Sequence, residues 1–238
     1  MCETPHVEIV GHRGAAGEAP ENTLKAILKG IKCGAKYIEI DVRRSSDGAL
    51  VLMHDATVDR TTDGSGRVSE MTLKELRDLN AGEGEPVPTL EEALDAVRGK
   101  AVLLLELKEA GYERHVWRTV SSYDMEGEVV FISFLPEALR GVAEASGGRA
   151  RLGLIFYSRP WDWLEVANRL KVEMVAPHYK LVTADFVKAA KRRSLLINSW
   201  TVNEEKIAER MLRLGVDLLT TDYPCRMIEF LKHITPLV

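Results

Sequence analysis

Eight short β-branched runs recur along a chain of 238 residues, each followed by a stretch with helical spacing, and that rhythm leaves few folds open. The runs are VEIVG (7–11), YIEIDV (37–42), AVLLLEL (101–107), VVFISF (129–134), RLGLIF (151–156), MVAP (174–177), LLINSW (195–200) and LLTTD (218–222). Leu24, Ile27, Leu28 and Ile31 mark the first helical face, and Ile207, Met211 and Leu214 the seventh. Strand-then-helix repeated eight times predicts an α/β fold of the (β/α)8 TIM-barrel type, with 1–238 as one domain. A doubly wound sheet is the alternative. The 45% hydrophobic content is enough for one large core.

One segment breaks the rhythm. After YIEIDV comes RRSSDGALVLMHD, where Asp47-Gly48 is a hairpin signal. With those two residues as the loop, the returning strand places His54 opposite Asp41. The next helix, TLEEALDAV (89–97), arrives only about 35 residues later, longer than an ordinary βα loop. Residues 55–88 therefore read as a small insertion on the rim of the barrel, after the second strand, with TLKELRDL (72–79) as a short helix.

A net charge of −4 gives no general attraction to nucleic acid or anionic membrane. No apolar run reaches the roughly 18 residues of a membrane span, so stable membrane insertion is not expected. The start, MCETPHVEIVGHRG, has neither a basic segment nor a long apolar one, unlike a secretory signal. Cys2, Cys33 and Cys225 form no close pair, which argues against a metal knuckle or a disulfide framework. These features predict a soluble cytoplasmic protein and leave the oligomeric state open.

In a barrel, catalysis sits where the strands end. The first run ends in His12-Arg13, the second in Glu39 and Asp41, the third in Glu106 and Lys108, and the eighth in Asp222. Residues two apart on a strand share a face, so Glu39 pairs with Asp41 and Glu106 with Lys108. If both pairs face inward, three carboxylates converge, an arrangement that like-charge repulsion disfavours unless a cation intervenes. Oxygen donors suit one divalent cation such as Mg²⁺, Mn²⁺ or Ca²⁺. His12 and His54 beside that ion read as a general acid and base, with Arg13 and Lys108 as phosphate contacts. Together they describe a phosphodiester-cleaving site.

The chain resembles the glycerophosphodiester phosphodiesterase family through GHRG (11–14) with PENT (20–23), EIDV (39–42), MHD (53–55), ELK (106–108), WTVN (200–203) and TDYP (221–224), in that order. The likeness runs from about residue 9 to 224 and includes VDRTTDG (58–64) in the insertion. The resemblance implies a (β/α)8 barrel that uses a divalent cation to hydrolyse glycerophosphodiesters to glycerol 3-phosphate and an alcohol. It also implies metal ligation by Glu39, Asp41 and Glu106, acid/base roles for His12 and His54, and phosphate contacts from Arg13 and Lys108. Which histidine is the base stays open, as does the choice between direct water attack and a cyclic phosphate.

Around that core, Asn22 or Thr23 is expected to cap the first helix, and Glu21 or Asn22 to pair with Arg13. Trp200 reads as a wall of the substrate pocket. Asp222 reads as a helix cap outside catalysis, and His178 and Lys180 as a solvated rim. Trp161 and Trp163 are packing residues by default, or an apolar lip for a lysophospholipid, the alternative substrate. His6, His115 and His233 receive no role. Two further rivals are a Schiff-base aldolase built on Lys108 and a non-catalytic barrel that binds a phosphorylated metabolite.

Overall fold

Each of the eight runs becomes a parallel strand. The computed structural model describes residues 7–234, leaving Cys2 and His6 outside the described residues. The strands are β1 (Glu8–Gly11), β2 (Tyr37–Arg44), β4 (Val102–Leu107), β5 (Val129–Ser133), β6 (Arg151–Phe156), β7 (Met174–Pro177), β8 (Leu196–Ser199) and β9 (Leu218–Thr221), with a short antiparallel β3 (Leu50–Leu52) beside β2. β1 pairs with both β2 and β9, so the sheet closes on itself. Helices α1 (Leu24–Cys33), α3 (Leu90–Val97), α4 (Glu113–Ser122), α5 (Pro136–Ser146), α6 (Pro160–Leu170), α7 (Ala184–Lys191), α8 (Glu205–Leu214) and α9 (Pro224–Ile234) follow the strands. This is a TIM barrel.

Alternation along the strands sorts the core into two layers. Ile38, Ile40, Val42, Leu103, Leu105 and Leu107 face the helices, where they join the large outer cluster. The opposite parity faces the axis: Val10, Leu104, Val130, Ile132, Ile155, Met174, Ala176 and Leu218 fill the barrel. Glu39 and Asp41 share that inward parity on β2, and Glu106 continues it two residues beyond Leu104. Packing of the outward leucines and isoleucines thus obliges the acids to point in.

The hairpin differs from expectation by one residue. Val42 pairs with Leu52 and Arg44 with Leu50, while the Ser45 N–H donates to the Ala49 carbonyl at 2.9 Å. The loop is therefore Ser46-Asp47-Gly48, with Gly48 at φ 94°, a longer turn in which glycine takes the left-handed position. Met53, not His54, meets Asp41, its N–H donating to the Asp41 carbonyl at 3.0 Å.

Between β3 and α3 the chain forms a short 3₁₀ turn (Val68–Glu70) and α2 (Leu73–Arg77). This segment packs on its own apolar cluster of Val51, Met53, Val58, Val68, Leu76, Ala81 and Val87. Thr72 and Thr89 start α2 and α3 with reciprocal capping boxes through Glu75 and Glu92. No described helix is long and apolar enough to cross a membrane.

The cysteine expectation fails. Cys33, at the end of α1, and Cys225, in the first turn of α9, are disulfide-bonded with Cα atoms 4.9 Å apart across 192 residues of sequence. A closed barrel makes its first and last helices neighbours, so sequence spacing says nothing about that distance. The bond also removes the cysteine argument for a reducing compartment. Cross-linking so long a loop restricts the unfolded chain and typically contributes about 2–4 kcal/mol. Reduction should accordingly lower the denaturant midpoint of the wild-type chain by that amount of stability, and a Cys33→Ser/Cys225→Ser variant should show the loss without responding to reductant. Equal midpoints with and without reductant would refute the contribution.

Candidate active site

The ends of β1, β2 and β4, with the turn after β3, bring their charged side chains to one cavity of about 240 Å³ at the barrel mouth. Its lining includes His12, Arg13, Glu39, His54, Glu106 and Lys108 on one side and Ile132, Phe134, Ile155, Ala176 and Trp200 on the other. Carboxylate oxygens of Glu39, Asp41 and Glu106 lie within 4.8 Å of one another, all three residues buried. Glu39 Oε1 and Asp41 Oδ1 are buried without a hydrogen-bond partner. Buried, converging carboxyl oxygens short of donors are what a hard divalent cation would satisfy, so the residues fit such an ion.

The protonation pattern follows from that crowding. Burial, then Asp41 and Glu106, pushes Glu39 well above the usual carboxylate range. Burial and Asp41 push Glu106 up to about 7, against the pull of Lys108. Burial opposes charge on Asp41 too, yet Lys108, Arg13, His54 and the Asn22 hydrogen bond lower it to about 2. Lys108 Nζ lies 2.6 Å from Glu106 Oε1 and 3.2 Å from Asp41 Oδ1. Burial favours a neutral amine, but Asp41 and Glu106 outweigh it and raise Lys108. A Schiff-base lysine needs the opposite shift, so the aldolase reading does not fit.

Loop geometry places the first-strand residues. Gly14, at φ 87°, lies so close to α1 that a Cβ there would come within 2.5 Å of the Ala26 carbonyl carbon. Glycine lets the loop press against the helix, and the Arg13 N–H donates to Glu39 Oε2 at 2.8 Å. Arg13 Nη1 donates to Glu21 at 2.7 Å, and its Nε lies 3.4 Å from Asp41. Of the two expected partners, Glu21 takes Arg13, whereas Asn22 donates from Nδ2 to Asp41 at 2.8 Å. Thr23 caps α1.

Each histidine rests on a carboxylate. His12 Nδ1 lies 2.6 Å from Asp222 Oδ1, and His54 Nδ1 lies 2.6 Å from Asp55 Oδ1. Asp222 is therefore no mere helix cap. Asn203 clamps it, donating from Nδ2 at 2.5 Å and accepting the Asp222 N–H at 2.9 Å. Although burial opposes it, hydrogen bonds from His12 and Asn203 keep Asp222 below the usual carboxylate range. His54 reaches the cavity by a route the hairpin register did not describe. Arg43 grips the His54 carbonyl with Nε and Nη2 at 3.0 and 2.8 Å, holding the residue just past the end of β3. Burial, aided by Lys108 and Arg13, lowers the His54 pKa.

Asn203 and Asp55 belong to WTVN and MHD, yet their roles as clamps were not legible, because each depends on a contact between distant loops. Trp200 lines the cavity and donates from Nε1 to the Ala176 carbonyl at 2.7 Å. Phe134 meets it edge-on with ring centroids 5.5 Å apart, and exposed Tyr157 lies 5.9 Å beyond Phe134. Trp161 and Trp163 pack on Phe186 and Phe156 and do not line the cavity. His178 sits behind Trp200 as an edge-on neighbour, outside the lining.

Comparison with known proteins matches residues 12–226 to the model of the glycerophosphoryl diester phosphodiesterase family. A glycerophosphodiester phosphodiesterase of Caldanaerobacter subterraneus subsp. tengcongensis is 32% identical, with 94% of this chain and 97% of that protein aligned. One from Bacillus subtilis is 30% identical over 90% of this chain and 83% of that protein. Among solved structures, an Oleispira antarctica phosphodiesterase in complex with the product sn-glycerol-3-phosphate superposes with a TM-score of 0.86 at 30% identity, covering 94% of this chain and 96% of that one.

Raised carboxyls make cation binding a competition with protons. Folded Glu39 and Glu106 hold protons that the unfolded chain has already released, so metal-free stability falls as pH rises from the ordinary glutamate range toward about 7. A bound cation displaces those protons and should stabilise more at pH 8 than at pH 5.5. At a hundredfold excess over Kd the gain is about 2.7 kcal/mol, or roughly 5–10 °C in Tm for a chain of this size. Thermal scans with Mg²⁺, Mn²⁺ or Ca²⁺ at both pH values check this; equal shifts at the two would contradict it.

Proposed function

The chain belongs to the glycerophosphoryl diester phosphodiesterase family, and from that premise we propose that it hydrolyses glycerophosphodiesters to sn-glycerol 3-phosphate and an alcohol at the mouth of the barrel. One observation carries the reading: two carboxylate-backed histidines share a cavity with Arg13, Lys108, Glu39 and Glu106, and Asp41 completes the acidic cluster beside them. We read Glu39, Asp41 and Glu106 as the ligands of one divalent cation. When bound, that ion supplies Lewis-acid stabilisation of the negative charge that builds on the phosphoryl oxygens.

The chain's own residues do the rest. Arg13 and Lys108 add positive charge at the same end of the cavity, where they hold the phosphate diester against the acidic cluster. Donation of Nδ1–H to Asp222 fixes His12 in the tautomer whose Nε2 is free, and Asp55 does the same for His54. One imidazole, neutral with Nε2 free, takes the proton of the attacking hydroxyl, from water or from glycerol itself; the other enters as the imidazolium and gives its Nε2 proton to the leaving alkoxide. Where glycerol supplies the hydroxyl, water then opens the cyclic phosphate. Each carboxylate stabilises the imidazolium form of its ring. Trp200, Phe134 and Ile155 exclude water from the opposite wall. The segment after β3, residues 55–88, is read as an insertion that carries Asp55 to the rim.

A second reading keeps the site and the cleaved bond but adds an acyl chain to the glycerol, a lysophospholipase D-type hydrolysis. The aromatic row from Trp200 through Phe134 to exposed Tyr157 offers an apolar path out of the cavity, which suits a lysophospholipid. Assaying a panel of glycerophosphodiesters and lysophospholipids for the released phosphomonoester, with each cation in turn, separates the two.

The mechanism divides the residues by phenotype. His12→Ala and His54→Ala should each lower kcat by about 10²–10⁴-fold while cation affinity, read by titration calorimetry, stays near wild type. Glu39→Gln should lose activity and cation affinity together, and chelator should abolish wild-type turnover until a divalent cation is restored. Normal turnover by either histidine variant, or full activity in chelator, would sink the assignment.

A further inference from the structure

We infer that Arg60, in the segment between β3 and α3, is a positioning residue that ties His54 to Arg13 on the charged side of the cavity. Resting on the proposed function above, it extends that reading to a residue that does not line the cavity. Arg60 spends its whole guanidinium fork on two acids: Nε donates to Asp55 Oδ2 at 2.6 Å, while Nη1 and Nη2 donate to Glu21 Oε2 and Oε1 at 2.8 Å each. Asp55 presents its other oxygen to His54 Nδ1, and Glu21 Oε1 also receives Arg13 Nη1.

The result is a row of five charges alternating in sign, Asp55–Arg60–Glu21–Arg13–Asp41, that begins under His54 and ends in the acidic cluster. Without Arg60, Asp55 would be an exposed-edge carboxylate free to rotate between solvent and the imidazole. With it, both Asp55 oxygens are committed, and the hydrogen bonds from Arg60 and His54 hold the carboxyl well below its usual range. Glu21 is steadied in the same way, since one carboxylate accepts from two arginines and is released from choosing between them. A planar, three-donor fork is required for this geometry, which lysine cannot supply. The contact also ties the segment after β3 to the end of β1, since its arginine bridges to Glu21 in the β1–α1 loop.

The arginine side chain is about half exposed, so its removal leaves the core untouched. Arg60→Ala should lower kcat about tenfold with a smaller change in KM and a Tm close to wild type, and Arg60→Lys should recover only part of the loss. Because Arg60 acts through Asp55 and Glu21, the variant Arg60→Ala/Asp55→Ala/Glu21→Ala should be no slower than Asp55→Ala/Glu21→Ala. Losses that multiply, or an Arg60→Ala enzyme with wild-type kcat, would overturn the role. An arm independent of turnover reads the His54 ring nitrogens by ¹⁵N NMR: the wild type should show one tautomer protonated at Nδ1, and Arg60→Ala (or Arg60→Lys if that variant does not fold) a mixture. An unchanged single tautomer would overturn the inference even in a chain that cleaved no phosphodiester, whereas absent hydrolysis alone would overturn only the proposed function.

Discussion

Three carboxylates packed into one buried spot are the constraint around which this molecule is organised. Nothing about a barrel requires Glu39, Asp41 and Glu106 to face one another, and their mutual repulsion opposes it. They converge because β2 and β4 are neighbours in register, with Asp41 alongside Glu106, and because their outward partners are leucines, isoleucines and valines that the helices must bury. The hydrophobic effect on the outside of the sheet therefore holds an electrostatically costly arrangement on the inside. The unpartnered Glu39 Oε1 and two carboxyls pushed toward neutrality record the cost.

The charged side chains around the acids offset that charge or, under the proposed mechanism, aim a proton carrier at it. Lys108 sits between Glu106 and Asp41, Arg13 reaches Asp41 and Glu21, and the Arg13 amide caps Glu39. Beyond them each imidazole leans on an acid that is itself clamped, Asp222 by Asn203 and Asp55 by Arg60. The same design appears at both histidines: a carboxylate fixes the ring, and a donor fixes the carboxylate. Rigid support of this kind is what proton transfer at a defined distance demands.

Much of this was readable before any coordinates. Period-two alternation put Glu39 with Asp41 and Glu106 with Lys108 on shared faces, and eight repeats of strand and helix favoured a barrel over a doubly wound sheet. What escaped had a common cause, namely contacts between residues far apart in the chain. Asp222 looked like a cap because the first and last strands are neighbours only once the barrel shuts. Cys33 and Cys225 looked unrelated for the same reason, since α1 and α9 meet across that seam. The hairpin slipped by one residue because Ser46 joined the turn, and His54 was saved for the cavity by Arg43, whose grip on a backbone carbonyl has no signature in a motif. Arg60 was visible within VDRTTDG, but its partners Asp55 and Glu21 could be joined only in space.

Anomalous diffraction from crystals soaked in Mn²⁺ tests the central claim most directly. A single strong peak bounded by the carboxylate oxygens of Glu39, Asp41 and Glu106, and absent from Glu39→Gln crystals, is the expected result. A barrel mouth without a peak in crystals whose protein turns over substrate, or a peak held by other residues, would contradict the account.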